Sequence, residues 1–266
     1  MTLLDVAGLT VRTADGRTLV DDLSFRIDAG ERLGLIGESG SGKSLTTLAL
    51  LGLLPDGMRA EGSVALAGTQ VVGATEKQLT AVRGRRAAVV FQEPLTALDP
   101  LMRVGRQIAE PLARRTGFKG RQLRTAVGEA LDQVRLPEPG RIARAFPHEI
   151  SGGQRQRVAL AMALACEPDL LIADEPTTAL DVSVQAEVLD LLDTLVRERG
   201  MAVLFVSHDL AVVAKIADRA LVLKDGRAVE EGPVLDVIGT PSAEYTRTLV
   251  AGARKLEAAL DLRSAR

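Results

Sequence analysis

Tryptophan is absent from the 266-residue chain, tyrosine occurs once, and aromatic residues make up only 2%. A core without large rings must be built from Leu, Val, Ala and Ile, which the 46% hydrophobic content supplies. Cysteine also occurs once, as Cys166, so an internal disulfide is excluded and a reducing compartment suits the chain. Cys166 lies in an apolar, helix-like run and reads as a small core residue rather than a reactive thiol. No apolar run reaches the roughly 18 residues that a membrane-spanning helix needs. The N-terminus has no basic-then-apolar leader pattern. The expectation is a soluble protein that reaches a membrane only through a partner. Charge excess is missing too: the net charge of −2 is not the basic balance of a generic nucleic-acid binder.

Against this background one stretch stands out. Gly37, Glu38, Ser39, Gly40, Ser41, Gly42, Lys43 and Ser44 form a complete G-x-x-x-x-G-K-[ST] phosphate loop. It follows Leu33-Gly34-Leu35-Ile36, which reads as a buried strand, and precedes Leu45–Leu51, which reads as a buried helix. Glycines let the backbone fold into a nest whose N–H groups point at phosphate oxygens. The helix N-terminus adds partial positive charge. Lys43 is positioned for the β- and γ-phosphates and Ser44 for Mg²⁺.

Taken in order, residues 3–12 and 19–27 alternate loosely and read as antiparallel strands joined by the turn Ala14-Asp15-Gly16-Arg17. A further strand over Gly62–Leu66 completes a small β layer. Ala87–Phe91 is a short buried strand that ends at Gln92. Residues 101–145 are helical in pattern, rich in Arg and Leu, and broken at Gly117, Gly120 and Pro137. Their charges, including Arg114-Arg115, read as a solvated face. A helix opens at Ser151. Leu170–Ala173 is an apolar strand that ends in Asp174-Glu175, and a helix covers 182–199. Val203–Val206 is another buried strand that ends in Ser207-His208-Asp209, and a hairpin turns at Lys224–Arg227. Apolar strands alternating with helices imply a parallel α/β sheet. In such a sheet ligands sit beyond the carboxyl ends of the strands. The phosphate loop, Gln92, Glu175 and His208 all follow strands, so they are expected to converge.

The chemistry follows from these positions. Asp174 takes the place from which such a site holds Mg²⁺. A carboxylate at Glu175, facing a γ-phosphate, can orient and deprotonate an attacking water. His208 can donate to that phosphate or hold the water. Gln92 can ligate the metal or contact the water as its loop moves. His148, in a Phe-Pro-His-Glu turn, reads as structural. Ser151-Gly152-Gly153 is a second phosphate cradle at a second helix N-terminus. One triphosphate does not need two cradles in one chain. A head-to-tail dimer, in which each of two ATP molecules lies between the Lys43 loop of one subunit and the Ser151 helix of the other, resolves this.

Together these motifs resemble an ABC-transporter ATP-binding subunit over nearly the whole chain. Gly37–Ser44 matches Walker A, Gln92 the Q-loop and Ser151-Gly152-Gly153-Gln154 the signature. Leu170–Glu175 matches Walker B with its catalytic glutamate, Ala179-Leu180-Asp181 the D-loop, and His208 the switch histidine. Phe91–Pro100 with Val104–Glu110, Pro147-His148-Glu149 and Tyr245-Thr246-Arg247 resemble the dipeptide, oligopeptide and nickel importer ATPases in particular. The resemblance implies a P-loop NTPase core with a mostly parallel sheet, a small antiparallel β layer and an inserted helical subdomain. An ATPase domain over 1–240 would carry that subdomain at about 95–165, with a short helical tail over 241–266. Also implied are ATP and Mg²⁺ (held by Ser44, Gln92 and Asp174), a second ATPase subunit, two permeases and an extracytoplasmic solute-binding protein. Residence would be at the cytoplasmic face of the inner membrane, without nucleic acid. Two departures stand out. The place where the family stacks an aromatic on adenine holds Arg12 and Thr13, and Arg12 is left to stack on the base by cation–π contact. Many peptide-importer ATPases carry a C-terminal cysteine cluster, and no cysteine follows Tyr245 in this sequence, an outline expected of the shorter nickel-type subunits. The rival reading is a soluble ABC ATPase not coupled to transport. Its DNA or ribosome forms would be expected to carry a long coiled-coil insertion or two ATPase units.

Overall fold

The computed structural model describes residues 1–91, 97–177 and 181–264, with side chains for all of these except 182 and 256–264. The chain divides into two compact units, Met1–Ala74 with Val203–Arg266, and Thr75–Ala202.

The first unit is built on two sheets. Strands β1 (Thr2–Arg12) and β2 (Thr18–Asp28) pair antiparallel across the Thr13–Arg17 turn. On its other edge β1 pairs antiparallel with β4 (Arg59–Leu66), and β4 with the short β5 (Thr69–Gln70). The alternation visible in the sequence is the pleat of this layer at its start, where Leu4 and Val6 are buried while Asp5 and Ala7 face out; a register shift follows, and Leu9, Thr10 and Val11 are all buried. In the second sheet β3 (Arg32–Ile36) lies between two parallel neighbours, β8 (Ala202–Ser207) and β9 (Arg219–Lys224). Strand β10 (Arg227–Pro233) returns antiparallel beside β9 as a hairpin. Strands β3 and β8 are apolar without alternation because both faces are covered: Leu33, Leu35, Ile36 and Val203–Val206 are all essentially inaccessible. Each such Leu, Val or Phe side chain contributes about 1.5–3 kcal/mol on burial.

Four helices complete this unit: α1 (Lys43–Leu50) after β3, α8 (Leu210–Ile216) after β8, then α9 (Val234–Gly239) and α10 (Glu244–Ser264). Helix α8 packs so closely on β3 that a Cβ at Gly34 would lie 2.3 Å from Val213 Cγ1.

In the second unit β6 (Ala87–Val90) and β7 (Leu170–Asp174) pair in parallel. Helix α2 (Glu76–Val82) precedes them, and α3 (Val104–Thr116), α4 (Gly120–Gln133), α5 (Pro139–Arg144), α6 (Gly152–Leu164) and α7 (Val182–Arg199) make up the rest. The breaks fall where the sequence places them. Gly117 ends α3 in a left-handed conformation, and Gly120 opens α4. Helix α2 is an element the periodicity did not announce. Its signal is the spacing Thr75-x-x-Gln78, a capping box in which the Thr75 N–H donates to Gln78 Oε1 at 2.9 Å.

Replacing Gly34 by Ala is expected to force β3 and α8 apart at a cost of about 1–3 kcal/mol, the range for overpacking a filled core. Urea denaturation of the purified variant against the parent measures it.

Candidate functional site

The parallel register sets the site of the first unit. Ile36, the last residue of β3, pairs with Ser207 on β8 and with Val222 on β9. The phosphate loop, His208 and the β9–β10 turn therefore leave the sheet side by side, at the carboxyl ends where α/β proteins bind ligands. His208 is exposed, and its corner is pinned on both sides. The Asp209 N–H donates to Ser207 Oγ at 3.0 Å, and the Asp209 carboxylate caps α8 by accepting from the Ala211 and Val212 N–H groups.

The loop itself is a cradle. Gly40 and Gly42 adopt φ of 83° and 102°, where other residues are strained. Gly42 is the N-cap of α1, and no side chain caps that helix. Lys43 is 5% exposed and donates through Nζ to the carbonyls of Gly37 at 2.8 Å and Glu38 at 2.9 Å. Ser41 Oγ is buried without a partner. A buried cation folded on the loop, an orphaned hydroxyl and an uncapped helix N-terminus are the donors that a polyphosphate demands. The residues present fit a nucleotide.

The β9–β10 hairpin holds the loop from behind. The Gly226 N–H donates to the Ser41 carbonyl at 3.0 Å, and the Asp21 N–H to the Gly226 carbonyl at 2.9 Å. A Cβ on Gly226, whose φ is 78°, would lie 2.4 Å from the Leu19 carbonyl oxygen. One on Gly37 would lie 2.4 Å from that of Leu223. Both glycines are required by close backbone approach, and nothing local in the sequence announces Gly226 as part of the site.

Arg12 and Thr13 are engaged locally. Arg12 pairs with Glu61 across the β1–β4 ladder at 3.4 Å. The Thr13 hydroxyl accepts from the Arg17 N–H at 3.1 Å and bonds the Asp15 carboxylate, which these bonds hold below the usual carboxylate range. Thr13 thus closes the β1–β2 turn.

In the second unit Val90 pairs with Ala173, so β6 and β7 also deliver their ends together. Asp174, 6% exposed, ends β7. Glu175 follows at φ 47°, a left-handed conformation rare for a residue with a side chain and typical of functional sites. Gln92 lies outside the described residues, as do Ala179 and Leu180 of the D-loop motif. Asp181 is described, and it caps α7: its carboxylate accepts from the Val184 N–H at 3.0 Å and from Ser183 Oγ at 2.7 Å, bonds that hold its pKa down.

Ser151 and Gln154 form a closed capping box on α6. The Ser151 hydroxyl accepts from the Gln154 N–H at 3.2 Å, and the Ser151 N–H donates to Gln154 Oε1 at 3.0 Å. Gly153 has no room for a side chain, since a Cβ would lie 2.5 Å from Val184 Cγ1 on α7. Arg155 Nε donates to the carbonyls of Pro147 and Ile150 and fixes the chain that enters the helix. His148 stacks on Phe146 at 5.7 Å between ring centroids, a structural contact.

A cavity of about 750 Å³ opens in the same unit, walled by Arg83, Phe91, Met102, Gln107, Arg115 and Cys166 among others. Buried Gln107 shapes its rim, accepting from the Asp99 N–H and donating to the carbonyls of Asp99 and Met102. Arg115 is not simply a solvated charge: it donates to the Ala165 carbonyl at 2.8 Å and pairs with Glu167 at 2.9 Å. Cys166 is half-buried on the cavity wall rather than in the core. Burial pushes its thiol pKa up, against the lowering effect of Arg115, Arg114 and Arg85.

Comparison with known proteins agrees with this geometry. A family model described as ABC transporter matches residues 20–178. The chain is 45% identical to the oligopeptide transport ATP-binding protein OppD of Salmonella typhimurium, over 96% of this chain and 77% of that protein. It is 46% identical to OppD of Mycobacterium tuberculosis, over 97% of this chain and 43% of that longer protein. Among solved structures it is similar to a dimeric ATP-binding cassette in a post-hydrolysis state bound to ADP and phosphate (TM-score 0.77, 31% identity, 87% of this chain and 98% of that chain). It is also similar to a part of the cbiONQ ABC transporter complex of Clostridium perfringens (TM-score 0.77, 25% identity, 98% and 99%). The family model spans more than half of the chain and the OppD relative nearly all of it, and the chain belongs to the ABC-transporter family.

Proposed function

We propose that this chain is the ATPase subunit of an importer for peptides, nickel or a similar small solute, peripheral at the cytoplasmic face of the inner membrane. The observation that carries the reading is its 45% identity to an oligopeptide transport ATPase over 96% of its length. It gains support from the Lys43 cradle, whose donors suit a polyphosphate.

In this reading Lys43 and the loop N–H groups bind the phosphates of ATP. Mg²⁺, held by Ser44, Asp174 and Gln92, would neutralise charge between the β- and γ-phosphates. Glu175 accepts a proton from the attacking water, and His208 steadies that water and the γ-phosphate. Ser151, Gly152, Gly153 and Gln154 bind the nucleotide of the partner ATPase subunit, itself or a paralogue, and Asp181 lies at that same junction. The nucleotide thereby holds two subunits together until hydrolysis releases them. Two permeases complete the transporter, and a solute-binding protein outside the membrane supplies them. The cavity walled by Arg83, Met102 and Cys166 is a suitable seat for a permease loop, being roomy and partly apolar with cationic walls. Among the described residues no helix is long and apolar enough to cross a membrane, and permease partners supply that function in this reading.

Glu175→Gln is expected to bind ATP but hydrolyse it at least roughly a hundredfold more slowly, the scale for losing a general base. A phosphate-release assay checks this, and near-normal turnover removes Glu175 from the chemistry. Lys43→Ala is expected to lose ATP affinity in an equilibrium titration, because a buried cation in the cradle is gone. The transport reading is tested by mild-detergent purification from native membranes. Two permeases and an ATPase are expected to co-purify, and recovery of only soluble partners overturns it.

A further inference from the structure

The phosphate loop has a further contact that the ATPase motifs do not account for. Tyr245, the chain's single tyrosine, lies in the first turn of α10, over 200 residues away in sequence. Its hydroxyl oxygen accepts from the Glu38 N–H at 3.2 Å. That N–H belongs to the same peptide unit as the Gly37 carbonyl, which accepts from Lys43 Nζ at 2.8 Å. A peptide unit is planar and turns as one body. Bonds on its two ends, one to Lys43 and one to Tyr245, therefore fix its rotation about the chain. The constraint is needed at this point because Gly37 lacks a Cβ and leaves the backbone otherwise free to turn.

Tyr245 is itself held. Lys224, the last residue of β9, places Nζ 4.9 Å from the centre of its ring. The entry to α10 is tied to Glu230 on β10: the carboxylate accepts from the Ser242 N–H at 2.7 Å, the Ser242 hydroxyl at 2.9 Å and the Ala243 N–H at 3.0 Å. Burial opposes the charge on Glu230. The Thr246 hydroxyl beside it and the Ser242 and Ala243 donors outweigh this and hold its pKa down to about 2, so the anchor stays charged well into acid. Burial raises the Tyr245 pKa, as do the Glu38 and Asp225 carboxylates, against the lowering bond from the Glu38 N–H. The hydroxyl is therefore neutral at physiological pH and keeps its proton. The hairpin thus grips the loop twice, directly through Gly226 on Ser41 and indirectly through Glu230, α10 and Tyr245.

We propose that Tyr245 is a positioning residue for nucleotide binding, setting the Gly37–Glu38 peptide so that the Lys43 ammonium and the loop N–H groups are preorganised for phosphate. The proposal rests on reading the Lys43 loop as the nucleotide site. It makes the C-terminal helix part of the nucleotide machinery rather than a tail.

The test is Tyr245→Phe in the full chain, which keeps the ring over which Lys224 sits and removes only the hydroxyl. ADP affinity is expected to fall by about three- to tenfold, the worth of one hydrogen bond, measured by equilibrium titration. In steady-state assays KM for ATP rises by a similar factor while kcat holds within about twofold, because no group touching the reacting atoms changes. Glu230→Gln, which loosens the anchor of α10, is expected to shift KM in the same direction. Unchanged ADP affinity in Tyr245→Phe overturns the proposal. So does a lowered kcat at unchanged KM, which would mark a loss of folded protein instead. Failure of the parent protein to bind ADP or ATP would instead strike the nucleotide reading itself, so the two failures are distinguishable.

Discussion

The pairing of β3 with parallel neighbours on both sides is the constraint on which the first unit depends. Parallel strands align their carboxyl ends, so what each strand delivers next is delivered to one edge. Here that edge receives the phosphate loop from β3, His208 from β8 and the supporting turn from β9. The register is secured by close packing on both faces: Leu33, Leu35, Val203 and Leu204 are fully buried, and a one-residue slip would turn each to the opposite face, against neighbours it does not fit. An apolar layer with no function of its own thus sets polar groups to a precision that flexible loops could not reach alone.

Around that edge the backbone, more than the side chains, does the holding. Gly226 bonds the Ser41 carbonyl, Gly37 lies against the Leu223 carbonyl, and the Asp21 N–H bonds the Gly226 carbonyl. Main-chain groups carry no rotamer freedom, so a cradle made of them loses little entropy when phosphate arrives. The cost falls on sequence freedom, since Gly37 and Gly226 have no room for a Cβ. The second unit shows the same economy. Gly153 is fitted against Val184, and the Ser151–Gln154 box satisfies the start of α6. Glu175, directly after β7, is one of several non-glycine residues held in a left-handed conformation, with Arg135, Glu138 and Glu167 in the same unit.

Much of this was legible in the sequence because it is local. The phosphate loop carries its own spacing. The buried strands are short apolar runs, and the helix breaks at Gly117 and Gly120 follow from the conformations glycine alone adopts freely. Helix α7 spans Val182–Arg199, the range its periodicity gave. Helix α2 was not read from the sequence: its short, weakly apolar body gives no periodic signal, and its one local mark is Thr75-x-x-Gln78. Arg115 and Cys166 read as a solvated charge and a core thiol, because composition cannot say which helix will lie opposite. In the structure they share a cavity wall.

The sequence by itself determined where the motif residues stand: Lys43 at the start of a helix behind its loop, Asp174 and Glu175 at a strand end, His208 after another, and Ser151 at a helix start. Motif spacing is a property of the chain, and it survives without any long-range contact. Only the tertiary structure decided what holds those residues still. For the Lys43 loop these are the Gly226 bond to Ser41 and the reach of Tyr245 to Glu38, which join positions far apart in the chain. Their geometry depends on strand register and helix placement, which arise from summed burial across the whole core and leave no local mark.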